Sequence, residues 1–292
     1  MDPSAVRRAP GGRVVPPGTL FVVATPIGNL EDITLRALRV LREVAVVAAE
    51  DTRRTGNLLR HYQIDTPLVS LHEHNEHQRI APLVRRIQRG DSVAVVSDAG
   101  TPGISDPGAK LVKAARQAGI RVDPIPGPSA VTAVLSASGL SFERFAFAGF
   151  PPTRSKDRKR WFQWVSSLPD VPVVCFEAPH RIKRFLTEAA KLLAERPILL
   201  ARELTKAHEE WLQASDGVVE RGEFVIVIGR ITNLGAEGRD IDDSEIVVLF
   251  GQIAEDGSVL SRREALRIVA KQLGLPVRAV YQALERAKTQ PA

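Results

Sequence analysis

The first half of the chain repeats one pattern of hydrophobic and polar positions. A run of four or five mostly apolar residues ends in a polar or Gly/Pro segment, and amphipathic helical spacing follows. The runs are residues 20–24 (L-F-V-V-A), 44–48, 67–71, 93–96 (V-A-V-V) and 122–125. Short continuous apolar runs predict strands buried on both faces, and strand–helix alternation predicts a parallel α/β sheet. The run at 93–96 leads into S-D-A-G-T-P-G-I-S-D-P-G. Ser97 to Gly103 read as a long turn, with Asp106 as N-cap and Pro107 as the first position of the next helix. A Gly-rich loop at the carboxyl end of a central parallel strand is where open α/β sheets take ligands. Gly100, Gly103 and Gly108 allow close approach of backbone to such a ligand.

The second half is patterned differently. The character changes around Phe145 to Phe150, which places a domain boundary near Gly149. Strands are expected at 171–176, 198–202, 209–213 and 224–228, with a helix at about 180–194. No helix separates the last two strands, so they are expected to form an antiparallel pair. Residues 235–244 are polar and acidic. Ser261-Arg262-Arg263-Glu264 is a capping box, Gly274-Leu275-Pro276 a break, and a second helix follows. This tail resembles a helix-turn-helix, with seven basic and two acidic side chains over 261–288. A hairpin that only packs on the body satisfies the pattern equally well. The expected layout is a leader at 1–19, an α/β domain at 20–149, a second at 150–232, a linker at 233–244 and a helical domain at 245–292.

Composition narrows the class. The 292 residues carry a formal charge of +6, 44% apolar and 25% charged residues, which is normal for a soluble globular protein. The basic excess suits a polyanionic partner. Cys175 is the single cysteine, so no intrachain disulfide is possible and a reducing, cytoplasmic setting is expected. No Cys/His cluster has metal-ligand spacing, and no apolar run is long enough to cross a membrane. G-x-G-x-x-G after the first strand, G-x-x-x-x-G-K-[ST] and G-x-S-x-G are all absent, which disfavours Rossmann dehydrogenases, P-loop kinases and α/β-hydrolases. Arg154, Lys156, Arg158, Lys159 and Arg160 place five positive charges beside Trp161 and Trp164, a combination that can grip phosphates and stack on unpaired bases.

Six segments, in order, carry a resemblance: A-T-P-I-G-N-L, A-E-D-T-R, S-D-A-G-T-P-G-I-S-D-P-G, P-G-P-S-A, E-A-P-H-R and R-E-L-T-K. The chain resembles the tetrapyrrole methylase superfamily, in its RNA-directed branch of cytidine 2′-O-ribose methyltransferases acting on small-subunit (16S) ribosomal RNA. The resemblance implies an α/β protein with two domains, S-adenosyl-L-methionine in the cleft between them, and a homodimer; the tail pattern adds a small C-terminal helical domain. It also implies small-subunit ribosomal RNA or the assembled 30S subunit as partner. The superfamily's usual G-x-G-P-G-D loop is A-T-P-I-G-N here, and its G-D-P is G-T-P, departures that argue against a tetrapyrrole substrate. By position, Pro26, Ile27 and Gly28 should edge the donor. Asp98, Gly100, Thr101 and Ile104 should line its pocket, with Ser129 and Ala130 contributing. Phe176, Glu177 and Ala178 should meet the adenine side.

A ribose hydroxyl is a poor nucleophile that gains from a general base. Asp51, His72, His74, Asp98 and Glu203 are the candidates, and Lys206 is a candidate for stabilising the developing alkoxide. Arg53, Arg181 and Arg202 are candidates for phosphate contacts. A small-molecule methylase and a non-catalytic RNA-binding assembly factor are the competing readings.

Overall fold

The computed structural model describes residues 16, 18–194, 196–230, 243–255, 261–273 and 277–289. Most of the expected leader, the expected linker as far as 242, and the break at Gly274-Leu275-Pro276 lie outside the described residues.

The first unit holds β1 (Thr19–Val23), α1 (Leu35–Glu43), β2 (Val46–Ala49), α2 (Thr52–His61) and β3 (Leu68–Ser70), then α3 (Glu76–Gln88), β4 (Val93–Val96), α4 (Ala109–Gln117), β5 (Arg121–Ile125) and α5 (Ala130–Ala137). Its five strands are all parallel, in the order β3-β2-β4-β1-β5. Every residue of β2 and β4 is buried, because successive side chains serve opposite faces. Val47, Ala49, Ala94 and Val96 pack on α1 and α2, while Val46, Ala48, Val93 and Val95 pack on α3 and α4. Thr34 opens α1, its hydroxyl accepting from the Ala37 N–H at 3.1 Å.

The second unit holds β6 (Ala146–Phe147), α6 (Ser155–Ser166), β7 (Val173–Glu177), α7 (Ile182–Leu192), β8 (Ile198–Arg202), β9 (Glu210–Gln213) and β10 (Phe224–Ile228). Its strand order is β6-β7-β10-β8-β9. Helices α6 and α7 cover one face; α5, from the first unit, covers the other through Val131, Val134 and Leu135. The helix that follows β5 therefore packs on the second sheet and ties the two units together. A third unit packs α8 (Asp243–Glu255), α9 (Arg262–Leu273) and α10 (Val277–Thr289) around Ile246, Val269, Val280 and Ala283. No described helix is long and apolar enough to cross a membrane.

Four sequence expectations are corrected. The second strand starts at Val46, since the Val44 N–H closes the end of α1 on the Val40 carbonyl. Asp106 does not cap α4. Gly108 does so in left-handed conformation (φ 113°), and its N–H donates to Glu76 Oε1. The strands at 210–213 and 224–228 are not partners: β10 lies between β7 and β8, and β9 pairs with β8 at the edge. The reason is visible in composition, since F-V-I-V-I is buried on both faces while E-W-L-Q is exposed at both ends. The tail has three described helices, because α8 precedes the pair expected there.

Arg158 is the largest departure from expectation. It is 2% exposed and pairs with Glu177 at 3.2 Å and with Glu188, its guanidinium lying near the Phe162 and Phe185 rings. Removing Arg158 leaves the buried Glu177 with Arg181 alone, at a loss of up to about 3–5 kcal/mol. Urea unfolding should show that loss for Arg158→Ala, against under about 0.5 kcal/mol for Lys159→Ala on the exposed face of the same helix. Equal midpoints for the two variants would mean that Arg158 does not hold this unit together.

Candidate active site in the cleft between the sheets

The strand order sets the position of the site. From β1 the chain crosses to β2 on one side; from β4 it crosses past β1 to β5 on the other. The neighbouring ends of β1 and β4 are thus a topological switch point, where the loops diverge and leave a crevice. Reciprocal backbone bonds join those two loops, Thr25 N–H to Gly100 O at 2.9 Å and Gly100 N–H to Thr25 O at 3.0 Å. Gly100 adopts φ 77°, a conformation that L residues rarely take, and a Cβ there would press on Ile27 Cγ2. The Thr101 hydroxyl donates to the Pro128 carbonyl at 3.1 Å, bringing in the loop after β5.

The second unit closes the crevice. The Asn29 N–H donates to Thr205 Oγ1 at 3.1 Å. A Cβ on Gly28 would lie 2.5 Å from Lys206 Cγ and 2.8 Å from the Leu204 carbonyl. Only glycine permits that approach of the first loop to the second unit.

The result is a cleft of about 360 Å³. Ten of the twelve expected donor-site residues line it: Ile27, Asp98, Gly100, Thr101, Ile104, Ser129, Ala130, Phe176, Glu177 and Ala178. Ser129 holds the N-cap position of α5, and its side chain makes no capping bond. Of the other two, Gly28 forms the contact just described, and Pro26 lines a hollow of about 170 Å³ that shares Arg54 and Asp98 with the cleft. Phe176 and Phe150 line it with ring centroids 5.4 Å apart, and the Phe147 ring lies 5.1 Å from that of Phe176.

Sequence reasoning missed part of the lining. Glu50, Arg54, Asp106, Phe150 and Glu223 all reach the cleft. Glu50 directly precedes Asp51, and Asp106 lies in an Asp-Pro-Gly helix start, so proximity to these loops is the available signal. Burial pushes the Glu50 carboxyl up; the Asp98 N–H opposes and the Asp98 and Asp51 charges add. Burial likewise raises Asp106, to about 6, against a Ser97 hydrogen bond and with the help of Glu50 and Asp98.

The expected base candidates separate. Asp98 faces the cleft, accepting from the Asp51 N–H at 2.9 Å and lying 3.6 Å from Arg54. Asp51 caps α2, and its hydrogen bonds to Arg53 hold it at about 2, which leaves it a weak base. His72 and His74 stack edge to face on the loop before α3, outside the cleft lining. Glu203 and Lys206 pair at 2.9 Å, and Lys206 also pairs with Glu223 at 3.1 Å. Burial would lower Lys206, but the two carboxylates prevail and raise it; burial would raise Glu203, but Lys206 prevails. Neither Glu203 nor Lys206 lines the cleft, and the clasp occupies both charges.

The expected RNA contacts separate as well. Arg154, Lys156, Lys159 and Arg160 are exposed, and Arg53 is exposed beside Asp51. Arg158 is turned inward and cannot meet a phosphate. Arg181 pairs with Glu177 at 3.0 Å, and Arg202 pairs with Glu210 at 2.9 Å with little exposure. Trp161 packs in the second core and only Trp164 is exposed. In the tail, Ser261 Oγ accepts from the Glu264 N–H at 3.3 Å, half of the capping box.

Comparisons agree with this geometry. A model of the tetrapyrrole (corrin/porphyrin) methylases matches residues 19–215. Proteins described as ribosomal RNA small subunit methyltransferase I are similar over most of both chains. The one from Pseudomonas aeruginosa is 43% identical over 92% of this chain and 98% of its own; that from Synechocystis is 42% identical over 91% and 96%. Among solved structures, a Thermus thermophilus uroporphyrin-III-C-methyltransferase has a TM-score of 0.51 at 23% identity, over 74% of this chain and 96% of its own. A diphthine synthase has a TM-score of 0.56 at 18% identity, over 72% and 90%, and both likenesses speak to fold alone. With two sheets meeting at a switch-point cleft and relatives of this identity along nearly the whole chain, the protein belongs to the tetrapyrrole methylase family, in its ribosomal RNA small subunit methyltransferase I group.

Proposed function

We propose that the chain transfers a methyl group from S-adenosyl-L-methionine to a cytidine ribose 2′-hydroxyl of small-subunit ribosomal RNA. The observation that carries this reading is the charge of the cleft. Among the described residues, Glu50, Asp98, Asp106, Glu177, Glu223 and Arg54 line it; Arg158 and Arg181 answer Glu177 and Lys206 answers Glu223, which leaves Glu50, Asp98 and Asp106 facing the Arg54 guanidinium. Such a lining suits a nucleoside ligand that is itself cationic, as a sulfonium donor with an α-ammonium group is. The volume suits one such molecule, and Phe176, Ile27 and the Gly100 backbone offer surfaces for a flat base and close approach.

The donor supplies an activated methyl group. This chain's residues supply position: methyl transfer is an in-line displacement, and alignment of the two reactants contributes much of the rate. The Thr25–Gly100 bridge and the Thr205 contact fix the loops on either side of the cleft. The outer face of α6 bears Arg154, Lys156, Lys159 and Arg160 and begins a few residues after Phe150 of the cleft wall. An exposed basic face there fits a phosphate backbone better than a small acid. The homodimer that the family resemblance implies belongs to the same reading, and sedimentation of the purified chain tests it.

Mass analysis of ribosomal RNA from a deletion strain should show the loss of one ribose methyl, restored by this chain. No loss would favour the small-molecule or assembly-factor readings. Thr101→Arg or Ala130→Trp should abolish donor binding by calorimetry with the fold intact, and unchanged affinity in both would place the donor elsewhere. Neutralising Lys159 and Arg160 should leave donor binding alone. The dependence of log RNA affinity on log salt should flatten by about 0.7–0.9 per lost phosphate contact. A retained slope would make this face of α6 merely solvated.

A further inference from the structure

The reaction proposed above releases a proton from the ribose hydroxyl, and the acids of the cleft differ in their freedom to take it. Glu177 is held by Arg158 and Arg181, and Glu223 by Lys206. Asp98 accepts from the Asp51 N–H and faces Arg54, and its own N–H donates to Glu50 Oε2 at 3.2 Å. Asp106 forms no ion pair among the described residues, although it lines the cleft. The backbone explains its position. Gly103 (φ 83°) and Ser105 (φ 64°) turn the loop back on itself, and Gly108 takes over the start of α4, so the Asp106 carboxyl is released from capping. The groups that face it are Ser97 at the end of β4, Glu50 at the end of β2, and Asp98; Arg54, Glu177 and Glu223 share the same cleft.

We propose that Asp106 is the proton acceptor of the methyl transfer, with Glu50 and Asp98 as positioning carboxylates behind it; this rests on the reading of the cleft as the donor site. The ribose O2′ forms a bond to the methyl carbon as the C–S bond breaks. Sulfur keeps the electron pair, and the hydroxyl proton passes to Asp106. A sulfonium and a carboxylate enter the step; a neutral sulfide and a neutral acid leave it. The partly buried cleft therefore never holds an uncompensated charge from the reaction. A cation beside Asp106 favours its ionised form, and discharge of that cation favours the protonated form at the moment the proton must be accepted. With no donor bound, burial, and after it the charges of Glu50 and Asp98, push the Asp106 carboxyl up to about 6.

The coupling can be read without turnover. Calorimetry at pH 6 in two buffers of different ionisation enthalpy counts the protons released on binding. S-adenosyl-L-methionine and S-adenosyl-L-homocysteine differ at the sulfur charge, so the first should release up to about half a proton more than the second. Asp106→Asn should abolish the difference, and Asp106→Glu should keep part of it. At saturating substrates Asp106→Asn should lower kcat by about 10²–10⁴-fold with little change in the KM for RNA. The wild-type kcat should fall as pH drops below the pKa of the donor-bound carboxyl, and the residual rate of Asp106→Asn should not. Removing a carboxylate that the fold holds above its unfolded pKa does not destabilise the protein at pH 7, so Asp106→Asn should melt no lower than wild type there. Equal proton release by the two ligands, release retained in Asp106→Asn, or near wild-type turnover of that variant would overturn the assignment. Failure of the wild type itself to bind S-adenosyl-L-methionine would instead overturn the reading of the cleft.

Discussion

Two backbone hydrogen bonds between Thr25 and Gly100 join the loops that leave β1 and β4, and the cleft is built outward from them. The bonds require Gly100 at positive φ, with Ile27 close against it. Thr101 then reaches Pro128, and Asn29 reaches Thr205 on the second unit. Each contact is a modest interaction alone, of the order of 1 kcal/mol. Their effect is to hold segments far apart in sequence at the edges of one crevice, as positioning catalysis demands.

The two units are fastened in two chemically different ways. Helix α5 leaves the first sheet and buries Val131, Val134 and Leu135 on the second, an apolar joint deep in the protein. Nearer the surface, Gly28 lies under Lys206, which is itself clasped by Glu203 and Glu223. The clasp is partly exposed and therefore weak on its own. Its charges nevertheless close one side of the cleft, since Glu223 belongs to both the clasp and the lining.

Charge is sorted by depth. Carboxylates face the cleft, where a cationic ligand would meet them, while the exposed basic groups of α6 face outward. The one basic residue of that run that turns inward, Arg158, answers the buried Glu177 behind the cleft wall. A net charge of +6 thus hides an acidic pocket and a basic exterior, two surfaces suited to different partners.

The sequence by itself determined the parallel sheet, because runs such as V-A-V-V are too short and too apolar for anything but strands buried on both faces. It also pointed to the loops that line the cleft, because small residues such as Gly100, Thr101 and Ala130 can be placed by order along the chain. Tertiary structure decided what depends on partners distant in sequence. Arg158 and Lys159 are adjacent and alike in the sequence, yet one is buried on Glu177 and the other exposed, since the helical period turns only one toward the core. The same holds for Asp106: an Asp-Pro-Gly run reads as a helix start, and only the left-handed Gly108 and the approach of Glu50 from β2 make it a cleft acid. The insertion of β10 between β7 and β8 was likewise beyond local pattern, because strand pairing is set by which faces remain to be covered after the other strands have docked.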